Sequence, residues 1–89
     1  MESVYKSVLL LDTVTVVMMN KDSELLSVGF QQKNVVNLWY EINTDTEVVE
    51  RKFRIYGTGY SHAYGRKKFV GTAQEMGYHC VCHVYELLG

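Results

Sequence analysis

The chain has 89 residues, a net charge of −1, two Cys and no Pro. This length predicts a single domain over residues 1–89 that buries only about 60–65% of its unfolded surface, so we expect a homo-oligomer to add stability. The near-neutral charge argues against duplex nucleic acid and anionic membranes as partners of the whole surface, and no signal peptide or apolar run of about 20 residues indicates membrane insertion.

Seven apolar or alternating segments, separated by turn residues, predict β-strands. They comprise residues 3–11, 13–19, 24–32, 35–42, 48–56, 67–75 and 78–87. Lys33 and Asn34 alone separate the third and fourth segments, as in a two-residue hairpin loop. Because no segment has a sustained helical period, the sequence predicts an all-β fold, a small antiparallel sandwich or barrel of about six to seven strands.

The fifth predicted strand has one apolar and one polar face. Alternation places Phe53 and Ile55 on one face, together with Arg51. Lys52 and Arg54 lie on the other face, which we expect to meet solvent.

A basic, Gly-rich loop follows this strand. Residues 51–72 hold six of the nine Lys and Arg residues and no Asp or Glu. The glycines allow successive backbone N–H groups to surround an anion, Thr58 adds a hydroxyl, and Tyr rings can stack on a base. The candidate ligand-binding residues are Lys52, Arg54, Tyr56, Gly57, Thr58, Gly59, Tyr60, Tyr64, Arg66, Lys67 and Lys68. A hairpin with a solvated basic loop is an equally good interpretation of the same residues.

Residues 79–83, His-Cys-Val-Cys-His, have the composition of a metal site without its geometry. On a strand, Cys80 and Cys82 point away from His79 and His83, so the four side chains cannot meet at one ion. We therefore expect no metal, no other cofactor, and two buried thiols. Reduced thiols indicate a cytoplasmic protein.

Three motifs in the second half of the chain resemble a known family. They are FRIYGTG at 53–59, FVGTAQ at 69–74 and HVYE at 83–86. With VYK at 4–6, LLSV at 25–28 and the pair Leu38-Trp39, they are similar to small proteins of tailed bacteriophages and prophages, a family with no assigned chemistry. The sequence departs from that family at MMNKD, residues 18–22, where its members often carry a Pro. The resemblance implies expression inside an infected bacterium.

In that setting we expect a non-enzymatic phage accessory protein that acts by stoichiometric binding in the host cytoplasm. Its foremost expected role is host takeover or counter-defence by blocking a host bacterial protein, with exposed Tyr residues at the interface. One alternative is sequestration of a phosphate-bearing small molecule or nucleotide at the basic GTG loop, and another is a small structural virion component. An enzyme that uses His62 as general base is disfavoured, because the sequence has neither a G-x-S-x-G motif nor a marked carboxylate pair.

Overall fold

The computed structural model describes residues 2–59, 65–75 and 81–88, which form seven β-strands. These are β1 (Glu2–Leu9), β2 (Thr15–Asn20), β3 (Glu24–Gln32), β4 (Val35–Asn43), β5 (Val48–Gly57), β6 (Lys67–Gln74) and β7 (Val81–Leu87). Sheet A has the order β1-β4-β3 and sheet B the order β2-β5-β7-β6, and neighbours in both sheets are antiparallel. The predicted all-β fold is confirmed, and it is a two-sheet sandwich. Among the described residues, no helix is long and apolar enough to cross a membrane.

The core lies between the sheets and is built from alternate side chains of each strand. In β4, Val36, Leu38 and Tyr40 point inward and are buried. In β5, Phe53 and Ile55 do the same, as their alternation predicts. Leu9, Val17, Met19, Ala73, Cys82 and Val84 complete the buried cluster.

The connection from β1 to β2 differs from its prediction. β1 ends at Leu9, two residues earlier than predicted, and β2 begins at Thr15, two residues later. Asp12 turns the chain with a φ of 64°, and the Leu10 N–H donates to the Thr15 side-chain oxygen at 2.8 Å. The apolar residues after Leu9 imitate a strand pattern, but this local hydrogen bond ends the strand before them.

The predicted hairpin loop at Lys33-Asn34 is confirmed, and it links the two sheets. Asn34 has a φ of 63°, a left-handed conformation that Asn tolerates better than most residues. Its N–H donates to Glu75 Oε2 at 3.1 Å. Glu75 is buried directly after β6, so this hydrogen bond joins the β3–β4 hairpin of sheet A to the end of β6 in sheet B.

β6 packs closely against β3 at Gly71. A Cβ atom at this glycine would lie 2.9 Å from Val28 Cγ2, closer than carbon atoms can approach. The pairing of β6 with β7 also shifts register between Phe69 and Gly71, so Val70 forms a bulge. The missing side chain at Gly71 therefore lets these two edge strands meet.

A partly buried ion pair closes one end of the sandwich. Arg51 of β5 points inward, and its Nε and Nη2 donate to the two carboxylate oxygens of Glu86 at 2.7 Å each. Nη1 donates to the Ser23 carbonyl at 2.8 Å, in the connection that leads to β3. The Glu86 partner explains why a cation occupies the apolar face of β5, and the third contact ties sheet B to the chain entering sheet A.

Replacing Glu86 with Leu should strongly destabilise the fold, because Arg51 would keep a partly buried charge without its carboxylate. We expect the free energy of unfolding to fall by about 2–4 kcal/mol in urea denaturation. The double variant Arg51→Met/Glu86→Leu should recover much of that loss, since it removes both charges. The control Glu50→Leu removes an exposed carboxylate and should change stability by less than about 0.5 kcal/mol. Equal stability of the single and double variants would contradict this account.

Replacing Gly71 with Ala should push β6 away from β3, because the new methyl group would meet the stiff, branched side chain of Val28. We expect a loss of about 1–3 kcal/mol in the free energy of unfolding. Gly71→Ala/Val28→Ala should lose less than the sum of its single variants. Gly29→Ala is the control, since its Cβ would lie 3.6 Å from Trp39, an ordinary contact. A harmless Gly71→Ala would mean that the strands need no close approach.

Candidate functional site

Side chains from three neighbouring strands form a continuous patch on the outer face of sheet B. Because β7 lies between β5 and β6, Arg54 pairs with Tyr85 and Tyr85 with Phe69. In the next row, His83 lies between Tyr56 and Thr72. We call this patch the aromatic–cationic face; it comprises Lys52, Arg54, Tyr56, Thr58, Lys67, Phe69, Thr72, His83 and Tyr85.

Three aromatic rings form the centre of the face. The Tyr85 ring contacts Tyr56 edge to face, with centroids 5.7 Å apart, and Phe69 in the same manner at 5.5 Å. Phe69 is 53% exposed. Burying so large an apolar ring would stabilise the fold, so its exposure is unusual. The rings hold one another in place and leave apolar surface open to a partner.

Cationic groups lie beside these rings. The Arg54 guanidinium carbon is 5.7 Å from the centroid of Tyr56, and the Lys67 ammonium is 5.9 Å from the centroid of Tyr85. Lys52 is exposed two residues before Arg54, on the same face of β5. Cation–π contacts keep the Arg54 and Lys67 charges close to the rings.

His83 is held by hydroxyl groups on both sides. Its Nε2 lies 2.8 Å from Thr58 Oγ1, and its Nδ1 lies 3.0 Å from Thr72 Oγ1. Because a hydroxyl group can donate or accept, each imidazole nitrogen has a threonine as its hydrogen-bond partner. Two hydrogen bonds, one from the residue that follows β5 and one from β6, therefore fix the orientation of the ring.

Three sequence motifs from the second half of the chain meet at this face. FRIYGTG contributes Arg54, Tyr56 and Thr58, FVGTAQ contributes Phe69 and Thr72, and HVYE contributes His83 and Tyr85. The intervening residues of the same motifs point inward, among them Phe53, Gly71, Val84 and Glu86. Each motif thus supplies some residues to the core and others to the outer face, by strict alternation in β5 and β7 and with the interruption at Val70 in β6.

The structure places the predicted ligand residues in several settings. Lys52, Arg54, Tyr56, Thr58 and Lys67 belong to the aromatic–cationic face. Gly57 is the last residue of β5; of these two glycines only Gly59 has a positive φ, 85°, and it is exposed. Tyr60 and Tyr64, like His62, lie outside the described residues.

The remaining two predicted cations do not belong to the face. Arg66 is exposed before β6, where its carbonyl accepts the Leu88 N–H at 2.8 Å. In the β6–β7 register Lys68 lies opposite Glu86, whose side chain points inward. Lys68 also lines an open cleft with Arg51 and Ser23. Strand alternation separates Lys68 from Lys67, although they are adjacent in sequence.

Four members of the face were missed as ligand residues by sequence reasoning: Phe69, Thr72, His83 and Tyr85. Alternation in β7 puts His83 and Tyr85 on one side, but no local signal shows that β7 lies between β5 and β6. Phe69 and Thr72 are three positions apart, and they share a face only because the Val70 bulge interrupts alternation. Sequence reasoning missed these four residues because local pattern shows neither the strand order nor the bulge.

The His-Cys-Val-Cys-His segment follows its predicted geometry where the structure describes it. Cys82 is buried in the core, and His83 faces outward. His79 and Cys80 lie outside the described residues. Within residues 2–59, 65–75 and 81–88, no group of three or more His, Cys, Asp or Glu side chains could hold a metal ion.

Comparison with known proteins yields one family assignment. No curated protein and no solved structure shows significant similarity to the chain. A family model described as "Domain of unknown function (DUF7352)" matches residues 1–88, nearly the whole sequence. The chain therefore belongs to the DUF7352 family.

Proposed function

We propose that this protein is a non-enzymatic binding module that holds a phosphate-bearing ligand with aromatic bases on the aromatic–cationic face of sheet B. Single-stranded nucleic acid and free nucleotides share this chemistry. The observation that carries the proposal is the exposed ring of Phe69 beside Tyr85, with Arg54 and Lys67 at its margins. The role is capture by stoichiometric binding, with no chemical step.

The rings suit bases because stacking needs an accessible, flat apolar surface. Phe69, Tyr85 and Tyr56 form a connected series on an open sheet, with neighbouring centroids 5.5 and 5.7 Å apart. Base–aromatic stacking contributes about 1–3 kcal/mol per base and tolerates any sequence. An open face of this kind favours a short strand whose bases are already unpaired.

The cations suit phosphates because they surround the rings on a chain that is otherwise slightly acidic. Lys52, Arg54 and Lys67 lie on the face, while the whole chain has a net charge of −1. Attraction to phosphate is therefore local, which favours a short ligand over a long duplex. The exposed Gly59 and the Thr58 hydroxyl extend the polar margin of the face toward the loop.

The setting follows from the resemblance to phage proteins. Inside an infected bacterium, a binding protein of this size would remove a nucleotide signal or cover a single strand in the host cytoplasm. Sequence reasoning ranked the blocking of a host protein first. The geometry favours a base-and-phosphate ligand because connected rings and neighbouring cations lie within one patch.

Removing a cation should weaken binding and its salt dependence together. We expect Arg54→Ala and Lys67→Ala each to reduce affinity for a short single-stranded oligonucleotide about tenfold at low salt. Each should also reduce the slope of log affinity against log salt by about 0.7, because one phosphate contact is lost. Fluorescence anisotropy measures both quantities. Lys21→Ala is the charge-matched control, because Lys21 is an exposed turn residue after β2. It should change neither the affinity nor the salt slope.

Removing the exposed ring should weaken binding without changing its salt dependence. We expect Phe69→Ala to reduce affinity about 5- to 150-fold, the equivalent of one lost stacking contact, with the wild-type salt slope. Phe69→Tyr should bind normally because it keeps a ring. Val48→Ala is the control for an exposed apolar residue on the same side of sheet B.

A panel of mononucleotides, cyclic dinucleotides and oligonucleotides separates the two ligand sources. Affinity that rises with strand length would identify nucleic acid, and affinity saturated by a single small molecule would identify a nucleotide. Saturating ligand at about one hundred times its dissociation constant should add roughly 2.7 kcal/mol to stability. If no member of the panel raises the melting temperature at low salt, the proposal is wrong.

Blocking of a host protein is the second candidate function. The outer surface of β2, next to the aromatic–cationic face, favours it. Val16 and Met18 are about half exposed and lie beside Lys52 and Glu50, so apolar surface continues past the cations. Under this function the protein should capture one bacterial protein from lysate at fixed ratio. The Phe69→Ala and Met18→Asp variants should both fail to capture that protein, whereas Lys21→Ala should still capture it. Capture that survives both substitutions would exclude this face as the interface.

A further inference from the structure

β1 is an edge strand whose exposed side chains are largely apolar. It pairs with β4 on one side, and no other described strand pairs with it. Val4, Tyr5 and Val8 are each more than half exposed. Tyr5 points inward, toward Tyr40, and remains exposed because it lies at the margin of the sandwich.

The edges of the sandwich are not equivalent. The contact between Gly71 and Val28 brings the edges of β6 and β3 together, so each partly covers the other. β1 has eight residues, and among the described strands only β4 pairs with it, so its outer edge is unpaired. An unpaired apolar edge of this length presents backbone N–H and C=O groups to another strand.

We infer that β1 pairs with β1 of a second copy of this chain, antiparallel about a two-fold axis at Val4. In this register Glu2 lies opposite Lys6 of the second copy, and Lys6 opposite its Glu2. Val4 meets Val4, so the apolar outer side chain is covered at the axis. The result is a six-stranded sheet built from two copies of three-stranded sheet A.

Charge selects the second copy and the register. All three outward-pointing residues at this end of β1 find complementary partners when Val4 lies on the axis. A register centred on Lys6 would instead place two ammonium groups opposite each other. In the single chain Lys6 Nζ donates to Gln31 Oε1 at 2.6 Å, an exposed hydrogen bond that rotation toward Glu2 would replace.

This interface leaves the aromatic–cationic face uncovered, because β1 belongs to sheet A and that face belongs to sheet B. The inference therefore does not rest on the proposed function. Failure of one leaves the other standing, since oligomer mass and ligand affinity are measured separately.

The test is the solution mass of the whole chain by light scattering and sedimentation, over low to high micromolar concentrations. We expect the wild type to reach twice the 10.3 kDa of one chain. Lys6→Glu should weaken the dimer about tenfold or more by placing like charges opposite each other, and Glu2→Lys/Lys6→Glu should restore it. Lys21→Glu carries the same charge change away from β1 and should stay dimeric.

A second substitution tests whether loss of the dimer reflects a lost interface or a misfolded chain. Val4 is 57% exposed in the single chain, so Val4→Asp should retain the wild-type circular dichroism spectrum and lose the dimer. A monomeric wild type at the highest concentration would overturn the inference. So would a dimer unaffected by Val4→Asp, or a double charge reversal that fails to restore what Lys6→Glu loses.

Discussion

The contact between Arg51 and Glu86 sets the register on which the rest of sheet B depends. Both side chains point inward, where each carboxylate oxygen accepts a hydrogen bond from the guanidinium at 2.7 Å. Because side chains alternate, an inward Arg51 turns Lys52 outward, and an inward Glu86 turns Tyr85 outward. A slip of one residue between β5 and β7 would separate the charges and bury the wrong faces. The Arg51–Glu86 pair therefore also determines which side chains lie on the aromatic–cationic face.

The bulge at Val70 has a comparable double effect on β6. With regular alternation, Phe69 and Thr72 would point to opposite sides of the sheet. The extra residue brings both to the outer face and leaves Gly71 pointing inward against Val28. One irregularity thus completes the aromatic–cationic face and joins the edges of the two sheets. A change that straightens β6 would therefore alter both the stability of the sandwich and the shape of the aromatic–cationic face.

The two proposed surfaces would act together in the protein. A dimer built through β1 carries two aromatic–cationic faces, one on each copy of sheet B. A single strand long enough to span both would gain effective concentration for its second contact, whereas a nucleotide would fill each face separately. The proposed β1 interface would also add the stability that a domain of this size is expected to need.

The sequence by itself determined the strands, since alternation and turn residues act over a few positions. It located the Lys33-Asn34 loop, the inward Phe53 and Ile55, and the shared outward face of Lys52 and Arg54 within one strand. It misplaced the end of β1, where a side-chain hydrogen bond decides the boundary.

Only the tertiary structure decided what lies beside that outward face. Strand order depends on contacts between segments far apart in the chain, and local pattern does not encode them. With β7 placed between β5 and β6, His83 and Tyr85 join Arg54, and the bulge brings Phe69 and Thr72 beside them. Five of the residues predicted from composition, Lys52, Arg54, Tyr56, Thr58 and Lys67, thereby join a larger face, because side chains from three strands converge only after the sheet has formed.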